Sequence, residues 1–86
     1  MMRPICWTEK TSDGVKREVR ATFLRDQIRW QFKLATEEHW DYTTVPSAED
    51  WEILVKKTED RYQRRNVTYK DVELARRCQE DALRQG

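Results

Sequence analysis

Between Glu37 and Asp41 the chain reads Glu-Glu-His-Trp-Asp, one imidazole among three carboxylates, the donor types that hold a divalent cation. In extended backbone His39 and Asp41 would point to one side and Glu38 to the other, so this spacing lacks the convergence of a metal motif. A solvated acidic loop with a surface histidine is the expectation. Because His39 is the only histidine, a thiol–imidazole nucleophile would require Cys6 or Cys78 to fold onto it, and no recognisable motif flanks either cysteine. The two glycines, Gly14 and Gly86, cannot build a phosphate-cradling loop. Neither an enzyme, a small-molecule substrate nor a cofactor is indicated.

What remains is charge. Net charge is +1, which argues against a protein that coats nucleic acid, but it divides into +4 over residues 1–34, −6 over 35–60 and +3 over 61–86. Blocks of this kind neutralise one another in a folded chain unless one is drawn onto a single face. Two sets could be: Lys10, Lys16, Arg20, Arg29 and Lys33 in the first third, and Arg61, Arg64, Arg65, Arg76 and Arg77 in the last. The first would suit an anion or a nucleic-acid backbone, the second an acidic partner. Whether either forms a surface depends on the elements that carry it.

Val15 to Leu34 positions the first set. Val15, Val19, Ala21 and Phe23 share odd parity, and Ile28, Trp30, Phe32 and Leu34 even parity with polar residues between them. That period of two predicts a β-hairpin with one apolar face. A two-residue loop at Asp26-Gln27, or a four-residue loop from Arg25 to Ile28, sets Phe23 opposite Trp30, Ala21 opposite Phe32 and Val19 opposite Leu34. The competing reading, one amphipathic helix over Lys16 to Glu38, would place Asp26 or Gln27 on its apolar stripe. Ahead of the hairpin, Ser12-Asp13-Gly14 suits a three-residue turn with Gly14 left-handed, which brings Trp7 opposite Val19 and Ile5 opposite Ala21 on the same face. Arg17 falls on that inner face near its rim, across from Glu9, where an ion pair would satisfy both.

The outer face then displays the five cations, interleaved with Thr8, Thr22 and Gln31 and opposed by Glu18 alone. Lys10 faces Lys16 and Arg20 faces Lys33, like charges directly opposite one another, an arrangement that costs stability unless an anion compensates. No aromatic residue is assigned to this face, so base stacking is not expected. Residues Ala35 to Val45 form an acidic passage whose Trp40 and Tyr42 should cover the edge of the core.

Two helices follow. Ser47 caps the first, with Asp50 at its third position and Pro46 against Trp51 as a staple; Trp51, Leu54, Val55, Thr58 and Tyr62 give its buried stripe. Asn66 should take the left-handed turn at its end, and Thr68 with Asp71 should open the second, about Tyr69 to Arg84, which buries Val72, Leu74, Ala75, Cys78 and Ala82. Val67 can reach Val72 as a second staple, and Glu73–Arg77 and Glu80–Arg84 are spaced to pair on the wet side. So short a link makes the helices antiparallel neighbours.

The expected fold is α+β, a three-stranded antiparallel meander followed by two antiparallel helices on one sheet face (βββαα), in a single domain over residues 1–86. Its core should comprise Ile5, Trp7, Val19, Ala21, Phe23, Ile28, Trp30, Phe32 and Leu34 beneath Trp51, Leu54, Val55, Tyr62, Val72, Ala75 and Cys78. Charged residues (38%) match hydrophobic ones (37%) and mean hydropathy is −1.05, but four Trp, three Tyr and two Phe are enough to nucleate such a core. No apolar run is long enough for a membrane span and no signal-peptide core precedes residue 10, so the cytoplasm is the expected compartment, with both cysteines reduced and packed. The expected function is a non-enzymatic interaction module that binds a protein partner or itself, with nucleic-acid binding through the basic sheet face as the alternative.

Overall fold

In a computed structural model, described over residues 4–85, the order is β1 (Ile5–Lys10), β2 (Lys16–Phe23), β3 (Ile28–Leu34), α1 (Ala48–Gln63) and α2 (Tyr69–Gln85). The strands form one antiparallel sheet in the order β1-β2-β3, with both helices against its inner face. The fold is the expected α+β meander with a helical hairpin, and the single long helix over Lys16 to Glu38 is not formed. Among the described residues no helix is long and apolar enough to cross a membrane.

The first turn forms as its residues dictate. Gly14 has φ +80°, its amide donates to the Thr11 carbonyl at 2.9 Å, and the Thr11 amide reaches the Val15 carbonyl at 2.9 Å. A side chain at position 14 would meet nothing within 4 Å, so the demand for glycine is one of backbone angle alone. Trp7 therefore faces Val19 and Ile5 faces Ala21, as parity requires.

The second turn lies one residue earlier than expected, which moves the register by two. Its loop is Leu24–Gln27, closed by the Leu24 amide on the Gln27 carbonyl at 2.8 Å, so Phe23 faces Ile28, Ala21 faces Trp30 and Val19 faces Phe32. A shift of two preserves parity and hence the buried face. Its reason is visible on both faces: Ile28 gains Phe23 as a partner instead of being left in a loop, and Lys33 moves from opposite Arg20 to opposite Glu18. The expected Arg20–Lys33 repulsion is absent.

Trp30 is the centre of the core. Trp7 meets it edge-to-face at 5.9 Å and 88°, Trp51 from α1 at 5.0 Å and 70°, and Phe32 lies parallel at 5.9 Å. The indole N–H groups of Trp7, Trp30 and Trp51 are buried without a hydrogen-bond acceptor among the described residues. Leu54, Thr58, Val72, Leu74 and Ala75 complete the buried set; the Thr58 hydroxyl donates to the Leu54 carbonyl at 2.7 Å, which lets it sit fully buried. Ile28, Leu34, Val55 and Cys78 are only half-buried. Tyr62 is not core: it is 43% exposed and its ring lies 5.6 Å from that of Tyr69 at the linked end of the helix pair.

Ser47 and Asp50 form the expected capping box, with the Asp50 amide on Ser47 Oγ at 3.1 Å and the Ser47 amide on Asp50 Oδ2 at 2.9 Å. The helix ends one residue earlier than expected, with Arg65 rather than Asn66 left-handed at φ 63°. The Arg65 amide reaches Tyr62 at 2.9 Å and the Asn66 amide reaches Arg61 at 2.8 Å, a Schellman pair that satisfies two terminal carbonyls. At the start of α2 the Asp71 carboxylate accepts from the Thr68 amide at 3.1 Å. The pairs Glu73–Arg77 and Glu80–Arg84 are not closed; Arg76 instead crosses to Glu59 on α1 and clasps the two helices.

Candidate functional site

Strand alternation places Lys10, Lys16, Arg20, Arg29 and Lys33 together on the outer face, as expected, but not as five free charges. The Lys33 ammonium lies 4.0 Å from Glu18. Trp40 folds over this face, with the Arg20 guanidinium 4.2 Å from its ring centre, a cation–π contact that desolvates the charge. Here the expectation of an outer face without aromatics fails: Trp40 covers neither core nor rim but the solvent side of the sheet. Gln31, which shares that side and stands opposite Arg20, is buried at 7% exposure. Only Lys10, Lys16 and Arg29 remain without an acidic or aromatic partner among the described residues, and Lys10 faces Lys16 as parity predicted.

Trp40 reaches this position through backbone pairing. Phe32 and Asp41 exchange both hydrogen bonds, at 2.9 and 2.7 Å, adding a one-residue bridge to the free edge of β3. The Asp41 side chain then fixes the loop by accepting from the Thr43 amide and hydroxyl at 2.8 and 2.9 Å, from the Thr44 amide at 3.2 Å, and from the Thr44 hydroxyl. These donors, the Thr44 hydroxyl foremost, pull its pKa down to about 2. Glu37 is used similarly: its carboxylate accepts from the Leu34 amide at 2.8 Å and its own amide donates to the Leu34 carbonyl at 2.9 Å. The acidic loop is thus a clamp on the β3 edge. Tyr42, expected beside Trp40 at the core's edge, is 63% exposed. Among the described residues no three metal-ligating side chains converge.

The other edge of the sheet is treated differently. Because Thr11 and Val15 are a hydrogen-bonded pair, alternation turns the backbone groups of Glu9, Trp7 and Ile5 toward β2 and those of Cys6, Thr8 and Lys10 outward. No other described backbone group pairs with these three residues. Above this edge, Lys57 of α1 holds its ammonium 5.9 Å from the Trp7 ring centre.

The helix-end arginines divide as well. Arg64 pairs with Asp60 at 3.5 Å and Arg76 with Glu59, leaving Arg61, Arg65 and Arg77 without an acidic partner among the described residues. This cluster belongs to the helical layer and the sheet cations to the opposite face, so the structure does not join the two sets. A further surface not singled out in the sequence is a shallow apolar groove along Pro46, Trp51 and Ala82, flanked by Val45 and Leu83 at 81% and 56% exposure. Both cysteines are free; Cys6 is exposed rather than packed, and Cys78 is half-buried, where burial pushes its thiol pKa up.

Comparison with protein-family models, with curated proteins and with solved structures finds no match to this chain.

Proposed function

We propose that the chain is a non-enzymatic interaction module that accepts an extended strand on the edge of β1. The observation that carries this reading is the inequality of the two edges. The β3 edge has Phe32 bonded to Asp41 and Leu34 clamped by Glu37, whereas Cys6, Thr8 and Lys10 present a row of backbone donors and acceptors that no described residue pairs with. An exposed row of that kind is the template for strand addition, in which main-chain bonds supply affinity and alternate side chains supply selection. Free cysteines on β1 and α2 fit a reducing compartment, which we take to be the cytoplasm.

Amide mapping tests it. Extended peptides selected from a random display library against the intact chain should perturb and protect the Cys6, Thr8 and Lys10 amides and leave those of Arg29 to Leu34 unchanged. Selected peptides that all map to the helices or to the outer face would overturn the reading.

Nucleic-acid binding is the second reading, favoured by one observation, the uncompensated Lys10–Lys16 pair. Glu18 and Trp40 already occupy Lys33 and Arg20, so the outer face offers fewer free cations than the sequence suggests. Retardation of a duplex at low salt, lost on charge reversal at Lys10, Lys16 and Arg29, would establish it.

A further inference from the structure

The geometry points to a second copy of this chain as the strand that β1 receives, through a two-fold axis at Thr8 that joins two three-stranded sheets into one of six. This inference rests on the strand-addition reading above and names its partner.

Three observations single out a copy of itself. The first is register. An antiparallel two-fold at Thr8 sets Thr8 opposite Thr8 and Cys6 opposite Lys10, so every outward-turned residue of β1 is hydrogen-bonded in both copies. Moving the axis to Glu9 would oppose two carboxylates, and moving it to Lys10 two ammonium groups; at Thr8 no like charges meet.

The second is the helix above the edge. Lys57 stands at the Trp7 ring, while Asp50 is held at Arg17, whose strand partner is Glu9. Ile53 lies between Asp50 and Lys57 on α1, the stretch of helix that reaches from Arg17 of β2 to Trp7 of β1. The third is the stripe on that side of α1. Glu49, Ile53 and Lys57 recur at four-residue intervals, Ile53 and Lys57 only half-buried and Glu49 exposed. Rotation about the Thr8 axis runs the two α1 helices antiparallel, bringing Ile53 toward Ile53 and Glu49 of each copy toward Lys57 of the other. Strand and helix are therefore self-complementary about the same axis.

The test is oligomeric state, by sedimentation equilibrium over a concentration series reaching the millimolar range. A monomer–dimer equilibrium is expected. Thr8→Pro should shift it to monomer with an unchanged circular dichroism spectrum, because the Thr8 amide points outward and serves no bond to β2. Lys57→Glu should weaken the dimer about 5- to 10-fold, the scale of one or two lost ion pairs, and the double variant Glu49→Lys/Lys57→Glu should restore it. In a Cys6→Ser background, Thr8→Cys should give a disulfide-linked dimer under mild oxidation, since hydrogen-bonded antiparallel partners have Cα atoms about 5.5 Å apart. Native Cys6 should not, because its two copies would stand roughly 14 Å apart along the strands.

A chain that stays monomeric throughout overturns the inference. If selected peptides still dock on β1 in that case, the strand-addition reading stands without it; if they do not, both fall. A dimer that survives Thr8→Pro and is lost on Leu83→Glu also overturns it, placing the contact at the apolar groove, and cross-linking through native Cys6 overturns the register.

Discussion

The Arg17 guanidinium holds the Asp50 carboxylate by two hydrogen bonds, 3.0 and 3.2 Å, across 33 residues of sequence. The same guanidinium reaches Glu9 on the neighbouring strand and lies 4.6 Å from the centre of the Phe32 ring. Asp50 in turn closes the capping box of α1, so one ion pair fixes where the helix begins relative to the sheet. Its cost in desolvation is real, Asp50 being 4% exposed, but both carboxylate oxygens accept from Arg17 and one also from the Ser47 amide. Asp50→Asn should destabilise the fold by about 2–4 kcal/mol, because it leaves a partly buried guanidinium underpaired. Ser47→Ala, which removes only the cap, should cost about 1 kcal/mol. Arg17→Lys should not substitute, since an ammonium cannot grip two oxygens and cover a ring together. Urea unfolding of the three variants checks the order.

Acid should release this contact. Burial by itself would push the Asp50 carboxyl up, but Arg17 and the Ser47 amide outweigh it and hold the pKa below its ordinary 3.8; Asp41 is held lower, at about 2. A carboxyl with a lowered folded pKa takes its proton more readily in the unfolded chain. The stability it adds is therefore complete above the unfolded value and disappears as pH falls through the folded one. Thermal midpoints should be flat from neutral pH to about pH 4.5 and fall steeply between about 4 and 2. Carbon-13 titration should place both midpoints below 3.8. A midpoint for Asp50 above that value would mean that Arg17 does not hold it in solution.

Trp30→Ala removes the ring on which Trp7, Phe32 and Trp51 converge and should cost about 3–5 kcal/mol, with loss of the near-ultraviolet dichroism of the remaining indoles. A variant that melts like the parent would mean that the three rings do not share one core.

The outward pair Glu18–Lys33 reports the register of β2 on β3. Glu18→Lys should cost about 0.5–1 kcal/mol by opposing two ammonium groups, and adding Lys33→Glu should recover most of it. Had Arg20 stood opposite Lys33, Lys33→Glu alone would stabilise the fold; with Glu18 there it should destabilise it. Equilibrium unfolding of the two single variants and the double variant decides between these registers.

That register marks the boundary of what the sequence carries. Parity identified the sheet residues of the core because it survives any even shift, and Gly14 fixed the first turn because it tolerates a positive φ. The second turn contains only Arg25, Asp26 and Gln27 with flanking apolar residues, none of which demands a particular angle, so its length is set by the Phe23–Ile28 and Glu18–Lys33 partnerships. Lys10, Lys16, Arg20, Arg29 and Lys33 were legible as one face for the same reason of parity. Their neutralisation was not, because Trp40 reaches Arg20 only after Asp41 pairs with Phe32, a contact without periodicity. That same contact occupies Phe32 at the β3 edge, and among the described residues β1 has no counterpart to it. An Asp followed two and three residues later by Thr was the available signal for the turn that secures it.

Arg65 stands where glycine is the better residue. Its φ of 63° is the left-handed conformation that closes the Schellman pair at the end of α1, and a side chain with a Cβ carries a cost there of about 1–2 kcal/mol. Its side chain has no acidic partner among the described residues to set against that cost. Arg65→Gly should therefore stabilise the chain by about 1 kcal/mol, less what glycine adds to the entropy of the unfolded state, and Arg65→Asn by less. Asn66→Gly should be neutral or destabilising, since Asn66 is not left-handed here; the opposite result would return the helix end to residue 66. If Arg65→Gly also leaves the oligomeric state unchanged, the helix-end arginines take no part in self-association, consistent with an interface on β1 and α1. Thermal denaturation and sedimentation of the same three variants decide both points.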